Sequence, residues 1–172
     1  FFHKYQNPEE VLLKSFKYAA ATEVILGGNH DVINDIDKKS SLHIVDHVFP
    51  DKVVIPVFDQ VVTANADIGG VQFYFVPHHT SKALFEVALG KVATEAYEFM
   101  EARKGGSGGT VLCLHCNYNS GFADKDTELN LTRDQAEWLL TKFDYIIIGH
   151  DHHYKTDFEA RLVVLGNIFP TG

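Results

Sequence analysis

Tyr145-Ile146-Ile147-Ile148-Gly149-His150-Asp151-His152-His153 joins a run of β-branched apolar residues to a dense polar cluster. The run is too short for a helix and carries no polar alternation, so it reads as a strand buried on both faces. The same grammar occurs twice upstream. Val24-Ile25-Leu26 runs into Gly27-Gly28-Asn29-His30-Asp31, and Val111-Leu112-Cys113-Leu114 runs into His115-Cys116-Asn117. In open α/β sheets ligands bind at the carboxyl ends of the strands, so three such loops are expected to converge on one edge. Imidazole with amide or carboxylate oxygen, and no thiolate required, suits Mn²⁺, Fe²⁺ or Zn²⁺. One histidine after a strand is ordinarily a surface residue; three loaded loops in sequence point to a metal site.

The flanking segments supply the other layer of the fold. Asn7 as N-cap, Pro8 at the first helical position and Glu9 and Glu10 in the first turn open an expected helix, with Val11, Leu12, Phe16 and Ala19 or Ala20 as its apolar stripe. A second helix is expected near 40–48, closed by Pro50. Val53-Val54-Ile55, Val61-Val62 and 71–76 read as strands, the last two joined through Asp67-Ile68-Gly69-Gly70. A long helix follows over roughly 82–103, ended by the glycine-rich run 105–109, a native loop or an inserted linker. Residues 115–130 read as a polar loop. Thr132-Arg133-Asp134-Gln135 has capping-box form and opens a helix through Leu140, and Leu162-Val163-Val164-Leu165 is the last strand. Helices alternating with continuous apolar strands predict an α/β layered sandwich.

Composition narrows the function. The 172 residues fit one domain of the usual ~100–200. Hydrophobic residues at 45% and charged residues at 22% exclude a disordered or fibrous chain. Fifteen basic against 23 acidic side chains give a net charge of −8, which excludes a purely electrostatic nucleic-acid coat unless bound cations bring positive charge. The pairs Lys38-Lys39, Lys14 with Lys17, and Arg103-Lys104 read as solvated faces. No apolar run approaches the ~20 residues that span a bilayer, and no leader opens the chain, so no membrane partner is expected. Two cysteines suggest a reducing compartment. Their C-x-x-C spacing straddles an expected strand end, so Cys113 is expected in the core and Cys116 beside the site, without a redox pair. His78-His79, after the expected strand 71–76, are candidates for the rim of the site, with a plain loop as the preferred reading, and His43 and His47 read as surface. Asn117 and His153 are the candidate substrate contacts.

Gly28-Asn29-His30-Asp31, then His115, then Gly149-His150-Asp151-His152 resemble the later part of the signature of calcineurin-like metallophosphoesterases. A given tetrapeptide occurs by chance about once in a thousand chains of this size, so two in the right order are a strong signal. The resemblance implies a layered α/β/β/α sandwich, N-terminally incomplete, over 1–172. It implies two divalent cations, foremost Mn²⁺ with Fe²⁺, Zn²⁺ or Mg²⁺ as alternatives. Asn29, His115 and His150 would be ligands of one and His152 of the other. His30 would be the transition-state histidine, held by Asp31, and a hydroxide between the cations would attack phosphorus in line. The chain departs from the family in having no Gly-Asp at all and no Asp-x-His before residue 28, the motifs that supply the bridging aspartate and the other cation's remaining ligands. It therefore reads as a piece of a longer domain. The other explanation is a scaffold that kept the fold and lost the chemistry, resembling retromer's phosphoesterase-like subunit.

The opening Phe1-Phe2-His3-Lys4, ahead of a Pro-led helix, is similar to the segment just after Gly-Asp in SbcD-type DNA exonuclease subunits of bacteria and phage. That likeness implies hydrolysis of DNA phosphodiesters, with His3 as a further catalytic-site histidine on the substrate phosphate. It also implies an SMC-like coiled-coil ATPase partner, a homodimer, and the cytoplasm of a bacterial or phage-infected cell. A phosphatase or small-molecule phosphodiesterase of the same family is the alternative, marked by a pocket walled for one phosphate group.

Overall fold

The computed structural model describes residues 17, 20–31, 42–51, 53–55, 60–103, 108–121, 129–151 and 153–166. Nine strands are described: β1 Val24–Leu26, β2 Val53–Ile55, β3 Ala64–Ile68, β4 Val71–Val76, β5 Thr110–Tyr118, β6 Asn130–Leu131, β7 Tyr145–His150, β8 Lys155–Asp157 and β9 Leu162–Val164. The described helices are α1 His43–Val48, α2 Lys82–Ala102 and α3 Arg133–Leu139, with a single 3₁₀ turn at Asn29–Asp31. Seven strands form one mixed sheet in the order β3-β4-β5-β7-β9-β8, with β6 attached to β5. Its centre, β4-β5-β7-β9, is parallel, and β3 and β8 close the edges antiparallel. β1 and β2 make a separate parallel pair. The fold class is α/β.

The apolar runs fall where parallel geometry requires. Leu112, Leu114, Ile146, Ile148, Leu162 and Val164 are buried side by side, covered by Phe85, Ala88, Leu89, Val92 and Ala96 of α2 at three- and four-residue spacing. Each fully buried aliphatic or aromatic side chain contributes about 1.5–3 kcal/mol of transfer free energy. Ser81 caps α2 by accepting from Leu84 N. Thr132 and Gln135 cap α3 reciprocally, the capping box expected from sequence.

β5 runs past Leu114 to Tyr118, so His115 and Asn117 are strand residues and not loop residues. The reason is pairing: β7 stays in register to Cys116↔His150, and β6 then pairs Asn117↔Asn130 and Tyr118↔Leu131. Along β5, Leu114, Cys116 and Tyr118 are buried while Cys113, His115 and Asn117 are half-buried on the other face. The expectation for Cys113 is thereby corrected, since Cys116 is the core residue of the two. Their side chains leave opposite faces, and burial pushes both thiols up to about 12.

Val61-Val62 is not a strand. The hairpin pairs β3 with β4, and its turn is Gly69-Gly70 at φ 63° and 83°, with Asp67 Oδ1 accepting from Gly70 N at 3.0 Å. Of the helix expected after Pro8, only Lys17, Ala20 and Ala21 are described, and they are helical. Its remainder, the residues 104–107 and 167–172, and His3 lie outside the described residues. No helix among the described residues is long and apolar enough to cross a membrane.

Candidate metal and phosphoester site

Asn29 is held by the exit of β1. Gly27 N donates to Ile55 O at 2.8 Å, while Gly27 O accepts from His78 N at 2.9 Å. The next turn closes on itself: Asp31 N donates to Gly28 O at 3.1 Å, and Gly28 N donates to Asp31 Oδ2 at 2.8 Å. Asp31 is only 3% exposed, and a buried carboxylate needs such N–H donors. The expected role of Asp31 is to hold His30; what it is seen to hold is the backbone of the turn that presents Asn29. The side chain of His30 and all of His152 lie outside the described residues.

His115 projects from β5 toward that turn. Its Nε2–H donates to Asn29 Oδ1 at 3.2 Å. Gly28 makes the approach possible, because a Cβ there would stand 2.7 Å from His115 Cε1 and 2.8 Å from Nε2. The ring of His150, at the end of β7, lies edge-on to His115 with centroids 5.1 Å apart. His150 pairs in register with Cys116, which faces the core, yet its ring meets His115 from the other face. Its φ of 110° accounts for this by turning the residue out of the strand's alternation. Such a backbone conformation at a non-glycine costs about 1–3 kcal/mol and is characteristic of functional sites.

A third ring joins the cluster. His78, just after β4, meets His115 edge-on at 6.2 Å. A cavity of about 550 Å³ opens against these residues, lined by Asn29, His78 and His150 and by Cys116, Asn117, Ser120 and Leu129. None of the described lining residues is charged. His153 stands apart: its side chain is 87% exposed, and its N–H donates to Asp151 Oδ1 at 3.1 Å. Lys155 pairs with Asp151 and holds that carboxyl below the usual range, outweighing the opposing effect of partial burial.

The donor set fits a divalent cation. Two donors at about 2.0–2.2 Å from a cation, at tetrahedral to right angles, stand roughly 2.8–3.6 Å apart, and the Asn29–His115 separation of 3.2 Å falls inside that range. A cation would take the place of the Nε2 proton. Among the described residues no three His, Cys, Asp or Glu side chains form a metal-holding group, and the amide oxygen of Asn29 would be the third donor beside His115 and His150 if a cation were bound.

The strand-end pattern points to Asn29, His115, His150 and Asn117 at this edge, and it offers His78 only as a rim residue, with a plain loop preferred. The structure favours the rim: β4 is parallel to β5, so Val76-Pro77-His78 leaves the sheet at the same edge. No family model matches the sequence, and no curated protein matches it.

Proposed function

We propose that this chain is a metal-dependent phosphoester hydrolase of the calcineurin-like metallophosphoesterase type, acting on DNA phosphodiesters. The observation that carries the reading is the meeting of Asn29 Oδ1 and His115 Nε2 at 3.2 Å, with the His150 ring 5.1 Å from His115, beside a cavity at the carboxyl edge of parallel strands. On this reading Asn29, His115 and His150 hold one divalent cation, foremost Mn²⁺, and His152 serves a second. The seven-stranded sheet and the β1–β2 pair are parts of the two inner layers of an α/β/β/α sandwich. A bound divalent cation supplies Lewis-acid polarisation of a phosphoryl oxygen and a water of lowered pKa.

The chain's own residues do the positioning. Asp31 fixes the turn that carries Asn29, whose oxygen meets His115, and Gly28 leaves room for the His115 ring. His30 is assigned to the phosphoryl oxygens. Asn117 and Ser120 offer uncharged hydrogen-bonding groups, so no described carboxylate opposes an anionic ester in the cavity. The DNA assignment rests on Phe1-Phe2-His3 and includes His3 as a phosphate contact. With a net charge of −8, attraction of duplex DNA falls to bound cations and to partner chains, such as an SMC-like ATPase or a second copy. The cytoplasm of a bacterial or phage-infected cell is the matching compartment. The absence of Lys and Arg among the described lining residues favours the second reading, a small phosphoester as substrate.

The test uses the intact protein loaded with Mn²⁺, its metal content measured by mass spectrometry, and three substrates: linear DNA, bis-p-nitrophenyl phosphate and p-nitrophenyl phosphate. The DNA reading expects retained Mn²⁺ and cleavage of DNA and the diester, with both lost in His150→Ala. Hydrolysis of the small esters with linear DNA left intact selects the second reading. A protein that retains no divalent cation is a scaffold, and the hydrolase proposal is then wrong.

A further inference from the structure

His78 is the side chain at the cavity that neither the expected ligand set nor the Gly-Asn-His-Asp turn accounts for. Its place is fixed from two sides. Its backbone N–H donates to Gly27 O, tying the exit of β4 to the loop that carries Asn29. The adjacent His79 is wholly buried, with Nε2 accepting from Val62 N at 3.2 Å. That bond leaves Nδ1 as the protonated nitrogen, which donates to Pro77 O at 2.9 Å. With His79 anchored beside Phe85 of α2, the neighbouring His78 is turned the other way, onto His115 and the cavity.

We propose that His78 touches the substrate, donating an imidazole N–H to a non-bridging phosphoryl oxygen of the ester in the cavity; this rests on the hydrolase reading above. Its ring lines the cavity together with Asn29 and His150. It stands 6.2 Å from His115, against 5.1 Å for His150, and the three rings do not converge as a three-histidine metal group, so His78 is assigned a place beside the metal donors. The described lining offers neutral donors to the oxygens of an anion that do not face metal. His78 is such a donor on the Asn29 side, as Asn117 and Ser120 are elsewhere in the lining.

The test is calorimetric titration of inorganic phosphate into the intact, Mn²⁺-loaded protein and three variants. His78→Phe keeps a ring against His115 and loses the N–H; His78→Gln keeps an N–H; His78→Ala loses both. Phosphate affinity is expected to fall about tenfold or more in the Phe and Ala variants, and to stay within about threefold in the Gln variant. Mn²⁺ affinity is expected to stay within about twofold in all three. Wild-type phosphate affinity in His78→Phe would overturn the proposal, as would failure of His78→Gln to rescue. Loss of Mn²⁺ in His78→Phe would instead make His78 a support of the metal ligands, and the substrate contact would fall. A wild-type protein that retains Mn²⁺ and hydrolyses esters while His78→Phe is unimpaired removes this inference alone. A wild-type protein that binds neither Mn²⁺ nor phosphate removes the hydrolase reading, and this inference with it.

Discussion

The two ends of the parallel sheet treat their polar residues in opposite ways. At the amino end of β5 and β7, Thr110 N donates to Asp144 Oδ2 at 2.7 Å, and Asp144 N donates to Thr110 O at 2.9 Å. Arg161 Nε donates to Asp144 O at 3.0 Å, and its Nη2 donates to Leu140 O and Phe143 O at 2.9 and 3.0 Å. There a guanidinium satisfies carbonyls that the end of α3 and the following turn leave over. At the carboxyl end, a 3.2 Å contact between Asn29 and His115 and edge-on rings bring Asn29, His115, His150 and His78 together beside a cavity, with His150 at φ 110°. One end spends its polar groups on the protein itself. The other gathers side chains beside a cavity, one of them on a strained backbone, which is the usual division between stability and function at the two ends of parallel strands.

The widest separation of the two ends comes from His150→Ala. Mn²⁺ affinity is expected to fall by about 100-fold or more, beyond the range for outer-shell changes, and the rise in Tm on adding Mn²⁺ should vanish. An undiminished Mn²⁺-dependent Tm shift in this variant would break the comparison. Gly28→Ala acts on the same end indirectly, since its Cβ would collide with the His115 ring. It should weaken Mn²⁺ binding about 10–100-fold and cost about 1–3 kcal/mol in denaturant unfolding. Arg161→Ala is the converse experiment. It should cost about 1–3 kcal/mol, because three carbonyls lose their donors, and leave Mn²⁺ affinity within about twofold.

The smallest effect concerns His79, the anchor behind the site. Burial holds its pKa below 6.5, against a smaller raising effect of the hydrogen bond to Pro77 O. As pH falls through 6.5 the unfolded chain takes up this proton before the folded one. The stability due to neutral His79 is therefore complete above that pH and lost below it. Tm measured from about pH 7.5 to 5.5 should fall more steeply in the wild type than in His79→Gln; equal slopes would show that His79 is not held neutral.

Periodicity made the centre of the fold legible. The runs at 24–26, 71–76, 145–148 and 162–164 are strands, α2 is the long helix and Thr132–Gln135 is a working cap. Local signals failed where a neighbour supplies the structure. β6 and β8, Asn130–Leu131 and Lys155–Asp157, are too short for an apolar run and exist as strands through the partners they pair with. Val61-Val62 has strand composition but lies outside the hairpin, whose register is set by Gly69-Gly70. The site was legible as residue types following apolar runs, and His78 only as a rim candidate, because no pattern in the chain says that β4 neighbours β5.

The sequence by itself determined that apolar runs would lead into Asn29, His115 and His150, because burial of β-branched runs is a local consequence of composition. Tertiary structure alone decided that Asn29 Oδ1 would stand 3.2 Å from His115 Nε2, that Gly28 must lack a side chain, and that His78 would join the cavity. Those are facts of strand order and register, which are set by pairing between segments distant along the chain.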